Sequence, residues 1–137
     1  MPEEPIQIVE HTADWSIRIV AADLARLFEY AAMGMAALLV EVPGSLPCTV
    51  ERTITLDAFD KETLLVDWLS ELAYLAESEQ LVPCAVELLT LSETGLLAQV
   101  GFGQAPSVDK HIKAVTYHNL AIQPLAQGFE VTIVFDV

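Results

Sequence analysis

The chain has 137 residues, of which 53% are apolar and 19% charged, and its formal net charge is −14 at pH 7. This composition excludes intrinsic disorder and predicts a single domain over residues 1–137. Twenty acidic residues against six lysines and arginines argue against independent binding of RNA or DNA, because phosphates repel such a chain at long range. A cation or a basic protein partner suits this charge better.

The terminal and cysteine patterns predict where the protein works. No uncharged apolar run reaches the roughly 18 residues of a membrane span, and the first five residues lack the apolar core of a secretory signal. Cys48 and Cys84 are isolated and flank no CxxC motif. These features predict a cytoplasmic protein with two structural thiols and no membrane contact.

In the first half of the chain, alternating and helical apolar patterns predict two strands, a helix, a third strand and a second helix. Their predicted ranges are 6–10, 15–21, 23–39, 49–57 and 60–82. Asp23 and Asp60 are the expected helix N-caps. The first helix carries small or apolar residues on nearly every face, which predicts that it is buried on most sides.

In the second half, two paired strands are predicted, followed by a loop and a hairpin. Their predicted ranges are 84–91 and 96–102 for the strands, 103–109 for the loop, and 112–123 with 129–136 for the hairpin. Two helices and about seven mostly antiparallel strands define an α+β fold, with both helices packed on the sheet.

The segment 110–118 concentrates the scarce basic groups of the chain. It holds four of the nine lysines, arginines and histidines, namely Lys110, His111, Lys113 and His118. In a chain this acidic, such a concentration indicates a site rather than a solubilising surface.

A regular strand alternation would separate these groups into two faces. It predicts His118 on the apolar face with Ile112 and Leu120, and Lys113 on the opposite face with Tyr117. A histidine buried with satisfied hydrogen bonds explains His118 equally well. A solvated lysine that protects a sheet edge is the alternative for Lys113.

The last predicted strand brings acidic groups to the same end of the hairpin. Antiparallel pairing around the turn at 124–128 places Lys113 close to Asp136 and to the terminal carboxylate of Val137. The carboxylates of Asp14, Asp136 and the terminal Val137 would together form an all-oxygen site. Such a site suits Ca²⁺ or Mg²⁺ rather than zinc. A turn-stabilising Asp14 and a frayed terminus are the alternatives, and the sequence does not place Asp14 beside Asp136.

Four segments of the chain resemble the archease family, in the same order and over essentially the whole length. They are His11-Thr12-Ala13-Asp14, the stretch Leu64-Leu65-Val66-Asp67-Trp68-Leu69 with Glu71-Leu72, the stretch from Ile112 to His118, and the terminal Phe135-Asp136-Val137. The chain differs from the usual pattern at Ser16, at Ala21-Ala22 before the first helix, and in the short stretch 103–111.

The resemblance implies an accessory protein without catalytic residues of its own, which activates the RNA-splicing ligase of tRNA splicing and RNA repair. It promotes guanylation of the ligase and multiple turnover, so GTP is engaged only through the ligase. The implied ligands of a divalent cation are Asp14, Asp136 and the carboxylate of Val137, with Ca²⁺ expected first and Mg²⁺ or Mn²⁺ as alternatives.

The resemblance also implies roles for other residues. Lys113 would act with Asp14 and Asp136 in ligase activation, and His11, Thr12 and His118 would line a pocket beside them.

Two other classes of protein fit the same residues. One is a general chaperone-like interaction module with a structural cation. The other is a metal-dependent phosphohydrolase acting alone, which ranks last because the chain shows no clear paired base or nucleophile.

Overall fold

The computed structural model describes residues 5–10, 14–40, 46–108, 110–117 and 119–137, without the side chains of Glu10 and Asp14. Within these ranges the chain forms two helices and eight strands. In chain order they are β1 Ile6–Glu10, β2 Asp14–Ala21, α1 Leu24–Leu39, β3 Val50–Asp57, α2 Lys61–Glu79, β4 Leu81–Leu91, β5 Gly95–Gln104, β6 Ala114–Thr116, β7 Gln123–Leu125 and β8 Gly128–Asp136.

The strands form two antiparallel sheets. One has the order β1-β2-β8-β6, with β7 also pairing with β8, and the other has the order β3-β5-β4. Helix α1 contacts β2 and β4, and α2 contacts β4 and β6, so each helix packs against both sheets. The α+β prediction is therefore confirmed, with two sheets in place of the single one expected.

The predicted long strand at 112–123 is wrong, and its failure accounts for the extra strand. Only β6 and β7 pair with β8 in this region. Between them the chain turns: the amide of Leu120 donates to the carbonyl of Tyr117, and Asn119 has a φ of 60°. A left-handed residue cannot continue a strand, and asparagine tolerates that conformation better than most residues.

The predicted alternation of faces is also wrong, because β6 spans only Ala114–Thr116. Val115, expected outside, is buried and lies opposite Phe135, whereas Ala114, expected inside, is exposed. Lys113 and Tyr117 are both exposed, as expected. Strand periodicity needs an unbroken strand, and here it applies to three residues only.

Both helices begin where the sequence predicts. The side chains of Asp23 and Asp60 accept hydrogen bonds from the amides of Arg26 and Thr63, at 2.7 and 2.8 Å. Nine of the sixteen residues of α1 are buried, which confirms its predicted burial. The indole N–H of Trp68 donates to the carbonyl of Phe28 over 3.0 Å and joins the two helices inside the core.

Cys48 and Cys84 form a disulfide, with their Cα atoms 6.0 Å apart. The prediction of two structural thiols is therefore wrong. The bond joins the segment before β3 to β4 and passes over the central strand β5 at Gly101, where an added Cβ would lie 3.4 Å from the sulfur of Cys48. The two cysteines are 36 residues apart, so no local motif signals the pairing.

Neither helix of the described residues has the length and apolar character of a membrane span. Because disulfides are uncommon in a reducing cytoplasm, the thiols no longer argue for that compartment. The cytoplasmic location stays a prediction.

We expect removal of the disulfide to lower the free energy of unfolding by about 2–4 kcal/mol, because the bond restricts the unfolded chain across a long loop. Chemical unfolding of the oxidised protein and of the double variant Cys48→Ala, Cys84→Ala measures this difference. Wild-type protein unfolded with reductant is the control and should approach the double variant. Equal stability of the oxidised wild type and the double variant would contradict the pairing.

The cap at Asp60 predicts a pH dependence of stability. The amide of Thr63 lowers the pKa of the Asp60 carboxyl by donating a hydrogen bond to its charged form. A carboxyl with a lower pKa in the folded state stabilises the fold above its unfolded pKa, near 3.9, and loses this contribution as pH falls through the folded pKa.

We therefore expect the wild type to have the higher urea midpoint relative to Asp60→Asn at pH 6, and the difference to shrink as pH falls below about 4. Asparagine is the matched control because it caps helices about as well without titrating. A difference that stays constant with pH would show that the charge of Asp60 does not contribute.

Candidate functional site

The five-stranded sheet places Asp14 and Asp136 side by side. They are direct partners in the antiparallel pairing of β2 with β8. Residues directly opposed in an antiparallel pair have Cα atoms about 4.5–5.5 Å apart. Their neighbours Trp15 and Phe135 form the next pair, and Phe135 is fully buried in the core. Asp136, which is exposed, therefore belongs to the face opposite the core.

Strand β6 brings Lys113 to the same point from the other side of β8. The amide of Lys113 donates to the carbonyl of Asp136 over 2.8 Å. This contact confirms that Lys113 lies near the C-terminal residues, as the hairpin predicted. Asp136 and the side chain of Lys113 are both exposed.

The last residue is held in place rather than frayed. Val137 is partly buried and packs against the core, and the residue before it is paired with β2 on one side and β6 on the other. The backbone at Val137 consequently has a defined position beside Asp136.

Two contacts that the sequence did not indicate anchor the basic segment to the rest of the fold. The ammonium of Lys110 lies 4.1 Å from the centre of the Trp15 ring, next to Asp14 in the chain. The imidazole Nδ1 of His111 lies 3.0 Å from a carboxylate oxygen of Glu77 on α2. Lys110 thus contacts β2 and His111 contacts α2. No local pattern pairs residues this far apart in the sequence.

Most of the basic side chains of this acidic protein are already engaged. Arg18 pairs with Glu130, Arg52 with Glu79, Lys61 with Glu62, and Lys110 with Trp15, while the pKa of Arg26 is raised, mainly by a hydrogen bond with Tyr30. Among the described lysines and arginines, Lys113 alone has no ion pair, side-chain hydrogen bond or ring contact. Its ammonium is therefore available to a ligand or partner.

The remaining predicted site residues fall outside the described structure. His11, Thr12 and His118 lie outside the described residues, and so does the side chain of Asp14. Among the side chains that are described, no three histidines, cysteines, aspartates or glutamates come together as a metal site. Since the predicted ligands include Asp14, the cation site stays a prediction.

The geometry defines a two-sheet α+β protein whose exposed lysine and paired aspartates meet at the end of a central strand. Residues 7–137 match the model of the Archease protein family, and the chain belongs to that family. The predicted resemblance is confirmed.

Curated relatives agree over nearly the full chain. A protein archease from Methanosarcina acetivorans is 32% identical over 139 residues, which cover 96% of this chain and 94% of that protein. A protein archease from Saccharolobus islandicus is 31% identical over 136 residues, covering 96% and 97%.

Solved structures share the fold. A solution structure of a Methanobacterium thermoautotrophicum protein matches with a TM-score of 0.76 at 21% identity, covering 97% of this chain and 99% of that one. A crystal structure from Thermotoga maritima, described as an archease and possible chaperone, matches with a TM-score of 0.66 at 22% identity, covering 100% and 98%.

We expect Trp15 and Lys110 to be coupled energetically. A cation over an aromatic face contributes about 0.5–1 kcal/mol at exposed sites. Urea unfolding of the wild type, Trp15→Leu, Lys110→Met and the double variant should give a coupling energy of that size. Lys61→Met combined with Trp15→Leu is the control pair and should be additive. Additive effects for both pairs would mean that the ring and the ammonium do not interact.

Proposed function

We propose that this protein is an accessory factor of the RNA-splicing ligase, which it activates by promoting guanylation of the ligase and repeated turnover. The observation that carries the proposal is the meeting of three groups on β8. Asp14 is the register partner of Asp136, and the Lys113 amide is bonded to the Asp136 carbonyl. The proposal places the protein in the cytoplasm, without catalytic residues of its own.

The donor chemistry at this point fits a divalent cation. Asp14, Asp136 and the carboxylate of Val137 would be its ligands, and such an all-oxygen set suits Ca²⁺ first, then Mg²⁺ or Mn²⁺. Net charge −14 favours cation binding further. When bound, the cation supplies positive charge for phosphate oxygens.

Lys113 supplies a second positive charge next to the proposed ligands. Its free ammonium would contact phosphate oxygens of the GTP bound by the ligase. The hydrogen bond from the Lys113 amide to the Asp136 carbonyl holds the two backbones together. The net charge of −14 over the whole chain complements a basic ligase cleft and speeds the encounter between the two proteins. The nucleotide is held by the ligase, so this protein needs no nucleotide pocket of its own.

We expect Asp14→Ala, Asp136→Ala and Lys113→Ala each to slow guanylation of the ligase by about 10–100-fold, the usual cost of disturbing a metal site or its supporting contacts. Thr132→Ala is the matched control, because Thr132 is exposed and lies on the same face of β8. Rates are measured from incorporation of labelled GMP into the ligase. Full activity of all three variants would sink the proposal.

The same variants separate the cation from the lysine. Saturating Ca²⁺ should raise the melting temperature of the wild type and of Lys113→Ala, since a ligand of the folded state stabilises it. It should leave Asp136→Ala unchanged.

The second candidate is a chaperone-like module with a purely structural cation. It is favoured by the description of the Thermotoga maritima structure as a possible chaperone. In that case Asp136→Asn lowers the melting temperature in Ca²⁺ but leaves ligase guanylation at the wild-type rate.

A further inference from the structure

The segment 111–117 runs antiparallel along α2 and is fastened to it at both ends. At one end, His111 lies 3.0 Å from Glu77, near the C-terminus of the helix. At the other end, the hydroxyl of Thr63 donates to the phenol oxygen of Tyr117 over 3.2 Å, in the first turn of the helix. The two elements therefore stay at a set separation over about four turns of α2.

A cavity of about 250 Å³ lies between these fastenings. It is lined by Ser70, Ala73, Tyr74 and Glu77 of α2 and by residues 112–115. Ile112 and Val115 belong to the buried core, whereas Tyr74 is 63% exposed. The cavity thus has apolar walls and a polar, exposed rim.

This cavity is smaller than the usual binding site of a small molecule. Pockets for drug-sized molecules have volumes of about 300–1,000 Å³, and a nucleotide needs a site in that range. A space of about 250 Å³ suits one large apolar side chain. Such a side chain, inserted from a partner, is the usual centre of a protein interface.

The charges at the rim indicate which charged groups the partner carries around the inserted side chain. Lys113 lines the cavity and is the one described lysine or arginine whose side chain has no partner. Its ammonium lies beside the inserted side chain and stays available to the phosphate oxygens named in the proposed function. The rest of the partner surface must be basic, because this chain carries net charge −14 and would repel an acidic protein.

Exposed aromatic side chains mark the same face of the molecule. Tyr74 and Tyr117 are 63% and 48% exposed, one at the cavity rim and one at the end of the fastened segment. Tyrosine is enriched at the energetic centres of protein interfaces, where its ring is desolvated by the partner.

We propose that this cavity is the docking point of a basic protein partner, which inserts one apolar side chain beside Lys113. The inference rests on the proposed function and locates the ligase on the face formed by α2 and β6. Lys113 then takes part in two interactions. Its side chain lies at the docking point, and its backbone amide donates to the carbonyl of Asp136. A single residue therefore connects the docking point to the proposed cation ligands.

The test fills the cavity and measures affinity for the ligase. We expect Ala73→Phe to weaken binding of the intact protein to the RNA-splicing ligase at least tenfold in calorimetry, with an unchanged melting-temperature response to Ca²⁺. Thr53→Phe is the matched control on the outer face of the three-stranded sheet, where Thr53 is exposed, and it should bind like the wild type.

Tyr74→Ala guards against a folding defect in the cavity variant. Tyr74 is mostly exposed, so its truncation leaves the core intact, and we expect it to weaken ligase binding at least tenfold as well. Wild-type affinity in both Ala73→Phe and Tyr74→Ala overturns the docking inference while leaving the proposed function standing.

Two other outcomes have different meanings. A wild-type protein that neither binds nor stimulates the ligase overturns the proposed function, and the docking inference with it. GTP alone, added to the isolated protein and shifting the NMR signals of Ser70 and Ala73, overturns the docking inference by showing that the cavity binds a nucleotide.

Discussion

The pairing of β8 on both sides is the constraint on which the rest of the structure depends. This strand lies inside the five-stranded sheet, with β2 along one edge and β6 and β7 along the other. Its inward side chains Val131, Ile133 and Phe135 are buried against the helices. A slip of one residue would turn those side chains to solvent and exchange Asp136 for an apolar neighbour. Core packing and the position of the candidate site are therefore decided by the same register.

Charge is distributed so that one lysine stays free in a strongly acidic molecule. The other described basic side chains are occupied within the fold, largely by glutamates, as in Arg18 with Glu130 and Arg52 with Glu79. The first pair is partly buried and the second more exposed, and pairs so close to solvent add little stability individually. Their larger effect is that, among the described lysines and arginines, only the Lys113 side chain is left without a partner, close to the paired aspartates.

Local features of the sequence predicted the elements that depend on local physics. Asp23 and Asp60 cap their helices because an aspartate side chain satisfies free amides within three residues, and the apolar stripe of α2 forms the buried face that it predicts. The region after β5 was predicted poorly. There the left-handed Asn119 interrupts what the alternation of side chains presents as one strand.

In the candidate site, too, the local contacts were predicted and the long-range contacts were not. The predicted hairpin placed Lys113 close to Asp136, because the two residues lie in consecutive segments of the chain. The register of Asp14 against Asp136 joins strands more than a hundred residues apart, so it depends on tertiary packing that a single sequence does not display. The contact of Glu77 with His111 and the disulfide of Cys48 with Cys84 escaped prediction for the same reason.

The two tryptophans give this molecule a built-in optical readout. Trp68 is fully buried, with its indole bonded to Phe28, so its fluorescence should report only on the integrity of the core. Trp15 is partly buried beneath the Lys110 ammonium and adjoins Asp14. Its emission should therefore respond to changes in charge at the end of β2 and β8. Variants that keep only Trp68 or only Trp15 would therefore report separately, the first on the fold and the second on binding at the end of β8.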